Sequence, residues 1–202
     1  MARSRRNPYS EPDHRTRAAK AAGYPARSVF KLAEIDQRVG LLRPGHHVLD
    51  LGAAPGSWSK YVMERIGVAG RLLAVDLEPL SAPLRPNSRV LTADVLTLPM
   101  DAFAELAPYD VVLSDMAPRT TGNRTTDAWR SFDLFDRALS IAAAWIKPGG
   151  GFVGKIFMGE SFEQARKNAA ALFREVKIVR PEATRSMSFE AFLVGLGARP
   201  GA

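Results

Sequence analysis

The 202 residues contain no cysteine. Disulfides and thiolate metal sites are therefore excluded, and a reducing compartment poses no difficulty. Histidine is scarce: with only His14, His46 and His47, no histidine metal cluster is expected and no metal is assigned. No apolar run is long enough to span a bilayer, so no membrane partner is expected. The basic start lacks the apolar core of a signal peptide, which leads us to expect a cytoplasmic protein. An Arg-rich organellar targeting segment is the alternative reading of that start.

The length suits one domain with a substantial core. Positive charge is concentrated at one end. Residues 1–31 hold eight basic residues (Arg3, Arg5, Arg6, Arg15, Arg17, Lys20, Arg27, Lys31) against Glu11 and Asp13, a net of +6. The whole chain has 28 basic and 21 acidic residues, which leaves 20 against 19 for the remainder. Such an arm suits a polyphosphate partner, because each neutralised phosphate releases counterions. A solvated tail is the bland alternative. The expected layout is a basic, partly disordered arm over 1–22, one domain over 23–197, and a short tail over 198–202.

Short apolar runs alternate with helical patterns. HHVLDLG (46–52), RLLAVDLE (71–78), RVLTAD (89–94), YDVVLSD (109–115) and GFVGKIF (151–157) read as strands. A helix is expected around Trp58–Ile66. From Thr126 to Ile146, Trp129, Phe132, Phe135, Leu139, Ala142 and Ile146 recur every three or four residues, an amphipathic helix that Pro148 and the following glycines end. A helix over Phe162–Val176 leads into VKIVRP (176–181) and EAFLVGLG (190–197), which lack a helix between them and predict an antiparallel hairpin at the sheet edge. Strands without strict alternation, separated by helices, predict a mostly parallel sheet covered on both faces.

In such sheets ligands bind beyond the carboxyl ends of the strands. The polar residues collect there. The first strand ends in Asp50-Leu51-Gly52-Ala53-Ala54-Pro55-Gly56 and enters a helix; the next three end at Asp76, Asp94 and Asp115. Asp76 follows Gly56 by 20 residues, a position from which a carboxylate can accept hydrogen bonds from ribose hydroxyls. The loop is GxxxG rather than GxGxxG, so it lacks the turn that cradles a pyrophosphate. A nucleoside without phosphates fits better, and S-adenosylmethionine is the common one. Any single aspartate could be a helix cap or a turn residue; four at successive strand ends point to a site.

VLDLGAAPGSWSKYV (48–62), VVLSDMAPRTTG (111–122), GGGFVGKIFMGE (149–160) and SFEAFLV (188–194) resemble the FtsJ family from about Arg17 to Gly197. The resemblance implies a Rossmann-like α/β methyltransferase with a seven-stranded, mostly parallel sheet and an antiparallel edge strand. It implies S-adenosylmethionine as cofactor, with contacts carried over to Gly56, Trp58, Asp76, Asp94 and Asp115. The implied catalytic set is Lys31, Asp115, Lys155 and Glu190. Bacterial members methylate a uridine ribose 2′-hydroxyl in large-subunit ribosomal RNA, so the implied partner is that RNA, in the assembled subunit, with the protein a monomer. A transfer-RNA ribose methyltransferase of the same family and a non-catalytic RNA-binding assembly factor stay open. The chain departs from the family pattern at Ser57, often a second glycine, and at Phe189, often an arginine.

The chemistry agrees with the set. A ribose hydroxyl becomes a good nucleophile only as its proton leaves, and alignment contributes much of the rate. A lysine serves as base only if its pKa falls well below ~10.4. Burial of Lys155 in an apolar strand, with Lys31 close by, would act in that direction. Asp115 and Glu190 would hold the ammonium groups. The alternatives for Lys155 are snorkelling to the surface or a structural ion pair with Glu190. Trp129 and Trp145 are expected in the core, Phe30 as an anchor beside Lys31, and Thr120–Arg124 as a mobile loop near the RNA.

Overall fold

The computed structural model describes residues 14–184 and 188–201. Arg3, Arg5 and Arg6 of the basic arm lie outside the described residues. Within the arm, His14–Ala21 forms a helix (α1).

One seven-stranded sheet organises the chain: β1 (His47–Leu51), β2 (Arg71–Asp76), β3 (Ser88–Thr92), β4 (Tyr109–Ser114), β5 (Ile146–Phe157), β6 (Phe173–Val179) and β7 (Glu190–Ala198). The spatial order is β3-β2-β1-β4-β5-β7-β6. The first five strands pair in parallel, and β7 runs antiparallel to both β5 and β6. The hairpin at the sheet edge is therefore present, with the later strand inserted inside the earlier one.

Helices cover both faces. Val29–Val39 (α2) and Ser57–Ile66 (α3) bury Leu32, Ile35, Val62 and Ile66 against Val48, Leu72 and Val153. Arg124–Trp145 (α4) and Phe162–Leu172 (α5) bury Phe135, Ala138 and Ala169 against Leu49, Val112 and Phe152. Opposite faces of one sheet take alternate residues of each strand, which is why these strands read as continuous apolar runs. Asp36, nearly inaccessible, joins α2 to α3: Tyr61 and Arg65 donate to its Oδ2 and the Leu42 N–H to its Oδ1.

Several local expectations shift. The fourth helix ends at Trp145, before Pro148, because Ile146 already pairs with Tyr109 of β4. The fifth helix ends at Leu172 rather than Val176. Phe173 is needed in the sheet, where its ring lies against Gly195; a Cβ there would approach it to 2.3 Å. Trp129 is 49% exposed instead of in the core, whereas half-buried Trp145 donates its indole N–H to the Met100 carbonyl. Phe30 is only half-buried, and Val29, Leu32 and Ile35 anchor α2. Helix α2 and a 3₁₀ turn over Met100–Leu106 had no assignment from the periodicity.

Candidate active site

At the carboxyl ends of β1, β2 and β4 the backbone opens into a cleft of about 230 Å³. Its lining includes Gly52, Ala54, Ala93 and Ala117, whose small side chains leave the floor bare. Gly52 has φ of 77°, and a Cβ there would lie 2.8 Å from the Met116 backbone nitrogen. Glycine is therefore required both by conformation and by space. Leu77, Val95, Met116 and Leu134 provide apolar walls, and Asp76, Asp94 and Asp115 provide carboxylates.

These carboxylates are oriented by backbone. Asp76 accepts the Ala54 N–H at 2.8 Å and the Glu78 N–H at 2.9 Å, one on each oxygen. Asp94 accepts the Leu96 N–H through Oδ1. Each oxygen retains a further lone pair for a ligand.

Asp115 belongs to this cleft and to a second group of residues. Lys155, 7% exposed, lies 3.0 Å from Asp115 Oδ1 and donates to the Asp115 backbone carbonyl. Lys31, from α2, forms an ion pair with Glu190 and sits 5.8 Å from the centroid of the Phe192 ring. Register explains the grouping. Phe192 lies opposite Lys155 and Glu190 opposite Phe157, so Lys155, Phe192 and Glu190 share one sheet face. That is the face α2 covers, and α2 brings Lys31. Lys155 does not snorkel outward and does not pair with Glu190; the two lysines are separately partnered. Asp115 Oδ1 and Glu190 Oε1 are buried, and each faces a lysine ammonium in an ion pair without an aligned hydrogen bond.

Gly56 and Trp58 stand apart from the cleft lining. Gly56 caps α3 and borders a neighbouring hollow beside Leu84 and Lys60. The Trp58 side chain is buried, donating to the Ser28 carbonyl and tilted against Phe192. Only its backbone can serve a ligand, through the acceptor-free N–H groups of the first helical turn.

Two further aspartates complete the surroundings: Asp50, one of the four expected at strand ends, and Asp127, which the sequence did not single out. Asp50 is fully buried; Ser59 donates to Oδ2, while Oδ1 has no partner. Burial pushes its carboxyl up to about 7, with the Asp115 and Asp76 charges adding and the Ser59 hydroxyl opposing. The Thr121 N–H and hydroxyl and the Gly122 N–H all donate to Asp127, which holds its carboxyl below the usual range. The segment after Asp115 is thus clamped to α4 rather than loose. A polar residue in a helical first turn, three to six positions after a Thr-Gly loop, is the signal that could have shown it.

Small-residue floor, acidic rim and strand-end position together define a Rossmann-like methyltransferase. The model of the FtsJ-like methyltransferase family matches residues 24–198, and the chain belongs to that family. A ribosomal RNA large subunit methyltransferase E of Sorangium cellulosum is 60% identical over 191 residues, 95% of this chain and 90% of its own. The protein of the same name from Myxococcus xanthus is 46% identical, covering 95% and 92%. Among solved structures, a candidate ribosomal RNA methyltransferase from Plasmodium falciparum superposes with TM-score 0.76 at 22% identity, over 87% of this chain and 98% of that one. Aeropyrum pernix fibrillarin with bound S-adenosyl-L-methionine gives 0.58 at 18% identity, over 84% and 76%. Among the described residues, no three His, Asp or Glu side chains are grouped to hold a metal, and no helix is long and apolar enough to cross a membrane.

Proposed function

We propose that this chain methylates a ribose 2′-hydroxyl of large-subunit ribosomal RNA with S-adenosylmethionine. One observation carries the reading: Asp115 both lines the small-floored cleft and partners the buried Lys155. A methyl donor in the cleft and an acceptor oxygen at Lys155 are thereby set side by side. The residues fit this cofactor. Asp76 can accept from ribose hydroxyls, Leu77, Val95 and Leu134 can flank a base, and three carboxylates suit a cationic ligand. Held by Asp76, Asp94 and Asp115, S-adenosylmethionine would supply a sulfonium methyl for transfer to the ribose oxygen, the thioether being the leaving group.

The chain's own groups do the rest. Lys155 Nζ is the group that takes the hydroxyl proton. Asp115 fixes that nitrogen through its carboxylate and its carbonyl. Lys31, held by Glu190, puts positive charge beside the oxygen as it loses its proton. One chain contains the whole set, so a monomer suffices. The relatives' names support ribosomal RNA over transfer RNA.

The test is transfer of labelled methyl from S-adenosylmethionine to large ribosomal subunits, to free large-subunit RNA and to transfer RNA. Label in a ribose that resists alkaline cleavage, on subunits above all, is expected. Label on a base, or on transfer RNA alone, would overturn the reading.

A further inference from the structure

Beside the Lys155 group stands a second constellation that the reaction chemistry does not use. Phe189 immediately precedes Glu190, and its half-buried ring lies 4.6 Å from that of Phe157, two residues beyond Lys155. The Arg124 guanidinium, from the first residue of α4, lies 5.8 Å over the Phe189 ring. Arg124 is exposed, and its guanidinium lies toward this ring. Met158 borders the pair: its N–H donates to the Phe189 carbonyl, and its side chain is 43% exposed.

A planar cation resting on an aromatic face, at the rim of a site that must grip a nucleotide, is the chemistry that binds nucleobases. Every base has a π-face, so an aromatic ring holds it without reading its sequence, and arginine adds cation–π attraction. The ring packs on Phe157 and its backbone is held by the Met158 N–H, so little order is lost when a base arrives. The cation is fixed only at its root. The loop before it is clamped by Asp127, and Asn123 caps α4 by accepting the Thr126 N–H. A base sandwiched between two planes needs about 6.8 Å, twice the base-stacking repeat of ~3.4 Å. The guanidinium carbon now lies 5.8 Å from the ring centroid, so a base enters as the side chain moves outward. An exposed arginine can open the gap by moving its side chain alone.

We propose that Phe189 and Arg124 form a stacking shelf for one nucleobase of single-stranded RNA, adjoining the ribose held at Lys155. The shelf rests on the proposed RNA ribose methylation and adds the element that anchors the substrate nucleotide. Alignment for displacement requires that the ribose be held. A ribose with its hydroxyl at Lys155 has little surface of its own to grip, whereas its base or the neighbouring base has a full aromatic face.

The test is steady-state methyl transfer to large ribosomal subunits by Phe189→Ala, Phe189→Trp and Arg124→Ala. Phe189→Ala should raise KM for the subunit about 5- to 150-fold, the range for one lost base stack, with kcat and S-adenosylmethionine affinity nearly unchanged. Phe189→Trp should restore KM, and Arg124→Ala should raise it less. A fall in kcat at constant KM would overturn the shelf and make Phe189 a support for Glu190. An unchanged KM in folded Phe189→Ala would also overturn it. A single-stranded oligoribonucleotide carrying 2-aminopurine separates the two proposals. Quenching that strengthens in Phe189→Trp and vanishes in Phe189→Ala supports the shelf even if the wild type methylates no RNA, in which case only the proposed function falls. Quenching that is indifferent to position 189 sinks the shelf whatever the methyl-transfer result.

Discussion

Two aspartates on adjacent central strands sit at opposite ends of the sheet, and their surroundings differ. Asp110, at the start of β4, is saturated: the His47 N–H donates to Oδ2, while Lys147 pairs with Oδ1 and His46 approaches it at 3.9 Å. Asp50, near the end of β1, keeps one oxygen without any partner. The cavity beside Asp110 is the larger, about 430 Å³ against 230 Å³. Volume alone would choose the wrong end. Where carboxylates satisfy one another's neighbours, the arrangement is structural; where they retain unused valence around a bare backbone floor, it is built for something absent from the chain.

Substitutions at three positions distinguish the two ends of the sheet. The largest effect belongs to the reactive end. Lys155→Arg keeps the charge but cannot accept a proton in the working range. The expected outcome is a loss of about 10²- to 10⁴-fold in single-turnover methyl transfer, with S-adenosylmethionine still bound by calorimetry. Substantial activity with an unaltered pH profile would remove Lys155 as base.

The second concerns Asp50. Its folded-state pKa stands at about 7 against an ordinary 3.8. The protonated carboxyl therefore contributes stability that is complete below about 3.8 and lost as pH rises through about 7. At 1.36 kcal/mol per pH unit, the whole window is worth roughly 4 kcal/mol. Asp50→Asn should flatten this decline in urea unfolding measured from pH 5 to 8; parallel curves for the two proteins would refute the assignment.

The smallest effect is expected at the saturated end. Lys147 is 42% exposed, so Lys147→Met should change stability by less than about 1 kcal/mol and leave methyl transfer untouched. A strong loss of transfer would mean that the two ends are coupled.

What the sequence made legible follows from the range of each interaction. Asp76, Asp94 and Asp115 were visible because strand-end position is local information. The ion-pair partners were not: that Lys31 meets Glu190 depends on where β7 inserts, and that Lys155 meets Asp115 on β5 pairing beside β4, neither of which periodicity encodes. The aromatic residues at 129 and 132 suggested one face of α4. Phe135, Leu139 and Ala142 of the expected face are buried, but Trp129 is exposed, and the buried face adds Ala128, Ser131 and Ala138, small residues whose packing a hydrophobicity pattern underweights. Phe173 continued the helical spacing of α5, and only its fit over Gly195 moves it into the sheet.

The insertion of β7 also sets a timetable for the molecule. β6 is made before β7, yet β7 is its sole neighbour in the sheet, so β6 has nowhere to dock until the later strand arrives. Lys31 likewise waits for Glu190, 159 positions further along the chain (190 − 31). Closing so long a loop is entropically slow, and such distant pairings lengthen folding. During synthesis Asp76, Asp94, Asp115 and Lys155 are all added before Glu190. Within the proposed reaction, the residues of the cleft thus precede in synthesis the one reversed strand that brings Glu190 to Lys31.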